Sequence, residues 1–196
     1  GMWSAAQSTE NTLGKIIAID KNTREFEFVS IGHRNPQGLK FIETKNIIVN
    51  TEHGPKGGDE ININYLNKNK DRIPNYGWAV ASYGVNYIGP DTLLKSHEKY
   101  GFDEPFKWYT PAIGISQLEY ISKDESPNNK DYMYVSSLRA GSVYIYEMNS
   151  EFDQILKEDR IWFNSKRIRD IKYDKETSLL FILFEFTPSI AVLKVL

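Results

Sequence analysis

GHRNPQGLKFIETKNIIVNTEHGPKGGDEININY, residues 32–65, holds three short apolar segments between clusters of Gly, Pro, His and Asn. Residues 38–42 and 46–50 have the composition of strands, and residues 61–65 alternate apolar and polar side chains as a half-buried strand does. Polar clusters flank the middle strand, and loops held by rigid strands are where binding groups tend to lie. The stretch therefore predicts a small sheet with a functional site at one end.

The same three-strand pattern recurs twice downstream. The second unit is GISQLEY, DYMYVS and SVYIYEM, and the third is RDIKYD, LLFILF and IAVLKV. A further segment separates each unit from the next, so four strands repeat roughly every 40–50 residues, as in propeller blades. The pattern predicts an all-β fold, a β-propeller of four-stranded antiparallel blades, although a sandwich also fits strand repeats of this kind.

Composition limits the class of protein. The 196 residues are 40% hydrophobic and carry a formal charge of −2, which gives no reason to expect nucleic acid or an acidic membrane surface as a partner. The absence of cysteine excludes disulfide and thiolate chemistry. No apolar run is long enough for a membrane span, and the N-terminus lacks a signal peptide. We expect residues 1–12 to form a disordered tail or tag remnant and residues 13–196 to form a partial propeller domain.

Four arginines occupy equivalent loops of the repeat. Blades of a propeller superpose by rotation, so the loop before a first strand shares a face with the loop between the second and third strands. These loops contain Arg34, Arg139, Arg167 and Arg169. Converging guanidinium groups would bind carboxylates or phosphates, whereas any one of these arginines taken alone is better explained as a surface or ion-paired residue.

Five motifs, in this order, resemble the soluble quinoprotein glucose/sorbosone dehydrogenase family: GHRNPQGL, EHGPKGGDEIN, NYGW, SSLRAG and RIRD. The resemblance extends from about Leu13 to the C-terminus, and it departs from the family where Trp78 is followed by Ala79 instead of proline. It implies a six-bladed propeller that uses pyrroloquinoline quinone (PQQ) and calcium. Six blades need roughly 240–300 residues. The chain would therefore supply about three to three and a half blades, the C-terminal half.

The resemblance also implies site residues. The cofactor-binding positions are Arg34, Asn35, His53, Arg139, Arg167 and Arg169. The calcium position is formed by Gly54 and Pro55 through their carbonyl oxygens, with Asp59 nearby, and calcium prefers oxygen ligands. Trp78 and Tyr83 are the candidate substrate contacts. The implied activity is hydride transfer from an aldose hydroxyl to PQQ, with a periplasmic or secreted location.

The catalytic base is the part of the family pattern that this sequence does not match. The family uses a histidine from an earlier blade, and none of His33, His53 and His97 corresponds to it. We therefore expect the chain alone to oxidise sugar weakly or not at all. The alternative is a non-catalytic propeller module that binds a small anionic or carbohydrate ligand.

A partial propeller leaves blade edges that can pair with another chain. We therefore predict self-association, with a homodimer through the exposed edges as the simplest assembly. Sedimentation velocity at high protein concentration tests this prediction. A single species of monomer mass would contradict it.

Overall fold

The computed structural model describes residues 5–67, 71–186 and 188–195 and contains thirteen strands and two short 3-10 turns. Most of these strands coincide with the apolar segments predicted from the sequence. In chain order they are β1 Lys15–Ile19, β2 Phe26–Ile31, β3 Pro36–Ile42, β4 Ile47–Glu52, β5 Asp59–Tyr65, β6 Lys107–Tyr109, β7 Ile115–Ile121, β8 Asp131–Ser137, β9 Ser142–Met148, β10 Ile155–Trp162, β11 Ile168–Asp174, β12 Leu179–Phe184 and β13 Ile190–Lys194.

The strands form four antiparallel sheets that follow one another along the chain. The orders are β1-β2, β3-β4-β5-β6, β7-β8-β9-β10 and β11-β12-β13, so two sheets have four strands and the outer two have fewer. Consecutive strands are neighbours in every sheet, which is the up-and-down connectivity of propeller blades. The predicted all-β partial propeller is confirmed.

Two apolar clusters stack the blades. One joins the β3–β6 sheet to the β7–β10 sheet through residues such as Ile61, Ile115 and Met133. The other joins the β7–β10 sheet to the β11–β13 sheet and includes Val143 and Ile182. Their side chains are fully buried, and dense packing of this kind supplies most of the stability of stacked sheets.

The inner strands β3, β7 and β11 start at the same end of the stack. The Thr51 hydroxyl in β4 donates to the Ser116 carbonyl in β7, and the Ser116 hydroxyl donates to the Ile168 carbonyl in β11 (2.7 Å). All of these groups are buried, so the hydrogen bonds are shielded from water. They tie the end of β4 to the start of β7 and the start of β7 to the start of β11, and the predicted site loops lie at this end.

The outermost blades expose edges and apolar surface. In the last sheet, Phe181 opposes Val192 and Leu183 opposes Ile190, and all four side chains are partly exposed on the face away from the β7–β10 sheet. Within the described residues, β1 pairs only with β2 and β13 only with β12. These are the open edges on which the predicted self-association depends, and that association stays a prediction.

Part of the predicted N-terminal tail contacts the body of the protein. The Gly32 N–H donates to the Ala6 carbonyl (3.0 Å), and Gln7 Nε2 donates to the Trp78 carbonyl (2.6 Å). Lys15 Nζ donates to the carbonyls of Ala5 and Ala6. Residues 5–7 are therefore held against the loops of the β3–β6 blade, while residues 1–4 lie outside the described residues.

Candidate functional site

Backbone hydrogen bonds join the loop before β3 to the loop between β4 and β5. The His53 N–H donates to the Asn35 carbonyl (3.1 Å), and Arg34 Nη1 donates to the His53 carbonyl (3.1 Å). The pairing of Pro36 with Glu52 places the two loops side by side at the end of the sheet. Three residues predicted to contact the cofactor, Arg34, Asn35 and His53, are thus brought together.

Arg34 points its guanidinium at an aromatic ring. Its Cζ atom lies 5.4 Å from the centroid of Trp78, a cation–π distance. Asn35 is exposed beside it, and its Oδ1 accepts a hydrogen bond from Gln37 Nε2 (3.0 Å). A groove of about 430 Å³ opens here, lined by Arg34, Asn35, Trp78, His33 and the N-terminal residues Ala6, Leu13 and Gly14.

His53 carries a ring nitrogen that lacks a partner. Its Nε2 is buried, and no group in the described ranges forms a hydrogen bond with it. Buried polar atoms are nearly always paired, so an orphaned nitrogen indicates room for a ligand or a water molecule. A cavity of about 10 Å³ adjoins it, lined in part by Arg34, Gly54 and Glu60.

Two buried residues of the turn after His53 have carbonyl oxygens that accept no hydrogen bond from the described residues. Among the residues that the structure describes, no backbone or side-chain donor forms a hydrogen bond with Gly54 O or Pro55 O. Gly54 admits no side chain, because a Cβ there would lie 2.1 Å from Gly58 O. Two unpaired carbonyls in a tight Gly-Pro turn are hard oxygen donors, which suit calcium.

Asp59 supports this turn from below. It is 2% exposed, and its Oδ1 accepts the Gly54 N–H (3.3 Å) while its Oδ2 accepts the Ile115 N–H (2.9 Å). One carboxylate thereby ties the Gly54 turn to the start of β7 in the next blade. These two hydrogen bonds give Asp59 a structural role. Its location near a calcium ion stays a prediction.

The remaining arginines belong to the next two blades. Arg139 lies in the loop between β8 and β9, where its N–H donates to Ile113 O (2.9 Å) and its side chain is exposed. Arg167 Nε and Arg169 Nη2 each donate to Glu185, at the end of β12. These two guanidinium groups, Arg169 first, hold the pKa of Glu185 below its usual value. The pair therefore already binds one carboxylate.

The two predicted substrate contacts have different surroundings. Trp78 lies against Arg34, and the Gln7 side chain donates to its carbonyl. The Tyr83 ring stacks on Trp108 of β6 with centroids 4.0 Å apart, and its hydroxyl donates to Glu104 (2.7 Å). Trp78 therefore joins the cofactor-side residues, whereas the Tyr83 ring is engaged by the outer strand. Their roles toward a sugar stay predictions.

A buried polar network that the sequence does not reveal lies behind the Arg34 loop. Glu52 is 3% exposed, and its carboxylate accepts hydrogen bonds from His33, Asn62 and the Arg34 backbone. The only signal in the sequence is a glutamate that ends an otherwise apolar or neutral strand, IIVNTE. From the sequence alone, such a glutamate would be predicted to face solvent at the end of a strand.

A second missed group surrounds His97, which is fully buried. Its Nε2 lies 3.9 Å from Glu60 and its Nδ1 lies 3.7 Å from Glu104, and neither nitrogen forms a hydrogen bond within the described chain. Burial lowers the pKa of His97. Burial, followed by the charge of nearby Glu52, raises the pKa of Glu60 well above its usual value. Both environments disfavour charge, so the neutral forms are stabilised.

Two absences apply to the part of the chain that the structure describes. No group of three or more His, Asp or Glu side chains there is arranged to hold a metal ion. No helix there is long and apolar enough to cross a membrane.

The chain is similar to known sugar dehydrogenases. The family profile described as Glucose / Sorbosone dehydrogenase matches residues 3–187. Aldose sugar dehydrogenase YliI of Escherichia coli (strain K12) is 31% identical over 150 residues, covering 74% of this chain and 38% of that protein. Quinoprotein glucose dehydrogenase B of Acinetobacter calcoaceticus is 22% identical over 200 residues, covering 79% and 42%.

Solved structures of sugar dehydrogenases also superpose on this chain. A glucose dehydrogenase crystal structure superposes with a TM-score of 0.77 at 25% identity, covering 97% of this chain and 57% of that one. The apo form of the soluble aldose sugar dehydrogenase from Escherichia coli gives 0.76 at 25% identity, with the same coverage. This chain spans about two fifths of the length of the curated relatives above. The match over residues 3–187, on a propeller whose loops bring Arg34, Asn35 and His53 together, shows that the chain belongs to the glucose/sorbosone dehydrogenase family.

Proposed function

We propose that this chain supplies the cofactor and calcium site of a PQQ-dependent sugar dehydrogenase, which transfers hydride from an aldose hydroxyl to PQQ. One observation carries the proposal. The unpaired Gly54 and Pro55 carbonyls lie beside the Arg34–His53 loops, at the end of the blades where Arg139, Arg167 and Arg169 also lie. Hard oxygen donors suit calcium, and guanidinium groups in the loops at the same end of the blades suit a polycarboxylate.

The residues divide the work as follows. Gly54 O and Pro55 O would hold calcium, and Asp59 keeps their turn in place through the Gly54 N–H. Arg34, braced by the His53 carbonyl and Trp78, would lie over the ring system, while the other arginines would bind carboxylates. When bound, the quinone supplies the hydride acceptor and calcium the Lewis acid that polarises it.

We place no proton-abstracting base among the histidines of this chain. His33 is 1% exposed and His97 is 0% exposed, so a sugar hydroxyl cannot reach either of them. His53 belongs to the proposed cofactor side of the site. We therefore expect purified chain given PQQ, calcium and sugar to show little or no dye reduction.

The same burial favours a second candidate, a propeller module that binds a small anionic or carbohydrate ligand without catalysis. Such a module needs the arginines but neither a base nor calcium. The two candidates differ in their metal dependence, because only the first requires calcium for ligand binding.

We also infer a periplasmic or secreted location from the family resemblance. Fractionation of the source cells would test that location.

Calorimetric titration of PQQ tests the leading proposal. We expect binding in calcium that weakens by roughly tenfold or more when a chelator removes the metal. Gly54→Ala should abolish the calcium effect, because the added Cβ would displace the turn. Gly101→Ala is the control for a strained glycine outside the site, since its Cβ would meet nothing within 4 Å but its φ of +82° still strains an alanine. Equal PQQ binding with and without calcium would favour the second candidate, and no binding at all would contradict the proposal.

A further inference from the structure

Glu52 is the centre of a buried hydrogen-bond network. Its Oε1 lies 2.9 Å from His33 Nδ1 and 2.8 Å from Asn62 Nδ2, and its Oε2 accepts the Arg34 backbone N–H at 2.7 Å. The other nitrogen of His33 lies 2.8 Å from the Ser30 hydroxyl. Four groups from β2, β5 and the Arg34 loop therefore converge on or behind one carboxylate.

The order Ser30, His33, Glu52 has the connectivity of a hydrolytic triad, but it has no access to substrate. Ser30 is 0% exposed, His33 is 1% exposed and Glu52 is 3% exposed. Nucleophilic catalysis needs an accessible hydroxyl, so this arrangement has no hydrolytic role. What this network contributes to the protein surface is a fixed position of the Arg34 backbone.

Burying a carboxylate is costly unless every oxygen is well paired. Here the pairing is complete, and one of the three donors is the backbone of Arg34, whose guanidinium bonds to His53 O and faces Trp78. The network thus links an immobile carboxylate to a residue of the cofactor side by a single charge-assisted hydrogen bond. Bonds of this kind are short and directional, so they define backbone geometry tightly.

We propose that Glu52 is a positioning residue that holds the Arg34 backbone so that its guanidinium is preorganised for the cofactor. The ligand named in this inference rests on the proposed function. The structural part, that Glu52 holds the Arg34 backbone, does not. His33, held by Ser30, keeps the Glu52 carboxylate oriented toward the Arg34 N–H. A preorganised group binds ligand without the cost of ordering it first.

The test uses Glu52→Gln, which keeps the shape but replaces one acceptor oxygen with a donor. Hydrogen exchange by mass spectrometry, on peptides covering residues 32–37, should show the Arg34 amide exchanging roughly 10- to 100-fold faster. Calorimetry should show PQQ affinity falling by roughly tenfold. Urea unfolding establishes that the variant is folded.

Glu119→Gln is the matched control. Glu119 is also a buried glutamate, but it lies on β7 and is held by Lys40 and Lys172 instead of by the site loop. This control should unfold more easily while leaving both exchange in residues 32–37 and PQQ affinity unchanged. Should Glu52→Gln fail to fold, Ser30→Ala removes only the outer hydrogen bond and should accelerate Arg34 exchange by roughly threefold.

Each outcome of these experiments either supports or contradicts the proposed role of Glu52. Faster exchange with weaker PQQ binding supports the proposal. Unchanged exchange in a folded Glu52→Gln overturns it, and so does faster exchange with unchanged affinity, because the network would then be structural only. Wild-type chain that binds no PQQ would overturn the proposed function and the cofactor half of this inference, and the exchange result would still decide whether Glu52 positions Arg34.

Discussion

Asp59→Ala should lower the free energy of unfolding by about 4 kcal/mol, because two backbone N–H groups lose their acceptor. One of these belongs to Gly54 and the other to Ile115 in the next blade, and Asp59 itself is 2% exposed. Asp59 is shielded from bulk water, so no solvent acceptor is freely available to these two N–H groups. Urea denaturation in calcium-free buffer should show the midpoint falling by about 2 M.

Asp20→Ala is the control for this change. Asp20 also accepts two backbone N–H groups, from Asn22 and Thr23, but it lies in the exposed turn between β1 and β2. Water replaces the lost acceptor there, so the midpoint should barely move. A wild-type midpoint for Asp59→Ala would contradict the role of Asp59 in joining the blades. If added calcium stabilised wild-type chain but not the variant, Asp59 would be required for calcium binding, either as a ligand or as the support of the Gly54 turn.

Arg169→Gln should weaken PQQ binding by about 10- to 100-fold, the value of a charge-assisted hydrogen bond. Arg167 and Arg169 converge on the single Glu185 carboxylate, which shows that their spacing suits a carboxylate ligand. The same contact makes Glu185 a competitor of that ligand. Glu185→Gln should therefore tighten PQQ binding by roughly three- to tenfold, because a neutral amide competes less well for the two guanidinium groups.

A general charge effect would give these two changes the same opposite signs, so a charge change elsewhere in the chain is needed to exclude it. Arg72→Gln is the control, since Arg72 is likewise held by one carboxylate, that of Asp103, in the long segment after β5. It changes net charge as Arg169→Gln does and should leave PQQ affinity unchanged. Calorimetry at low and moderate salt provides the measurement. Weaker binding by Glu185→Gln would mean that Glu185 orients the arginines instead of competing with the ligand.

The fold was predictable because its strands alternate or form short apolar runs between turn residues. Residues 61–65 and 179–184 are examples, and both lie in strands of the structure. Strand β6 was missed, because Lys107–Tyr109 is only three residues long and pairs with Asp59–Ile61 across a long intervening segment. A strand that short has no detectable period, and its pairing is set by tertiary contacts.

The site was predictable in its loops but not in its interactions. Placing Arg34 and His53 at one end of a sheet required only the strand phase, and the hydrogen bonds between their loops agree with it. The contact of Arg167 with Glu185 could not be seen in the sequence, since it depends on the register that pairs Ile168 with Phe184. Which carboxylate an arginine contacts depends on differences of a few ångströms between positions in the folded protein.

The sequence by itself determined the strand repeat, the loops that carry the arginines and the Gly-Pro turn, because these follow from local periodicity and from residues with particular backbone preferences. The tertiary structure alone decided that Glu52 and Asp59 are internal supports of the site. A carboxylate can be buried only where several donors meet it. Those donors are His33, Asn62 and the Arg34 backbone around Glu52, and the Gly54 and Ile115 backbone around Asp59, so they assemble only in the folded protein.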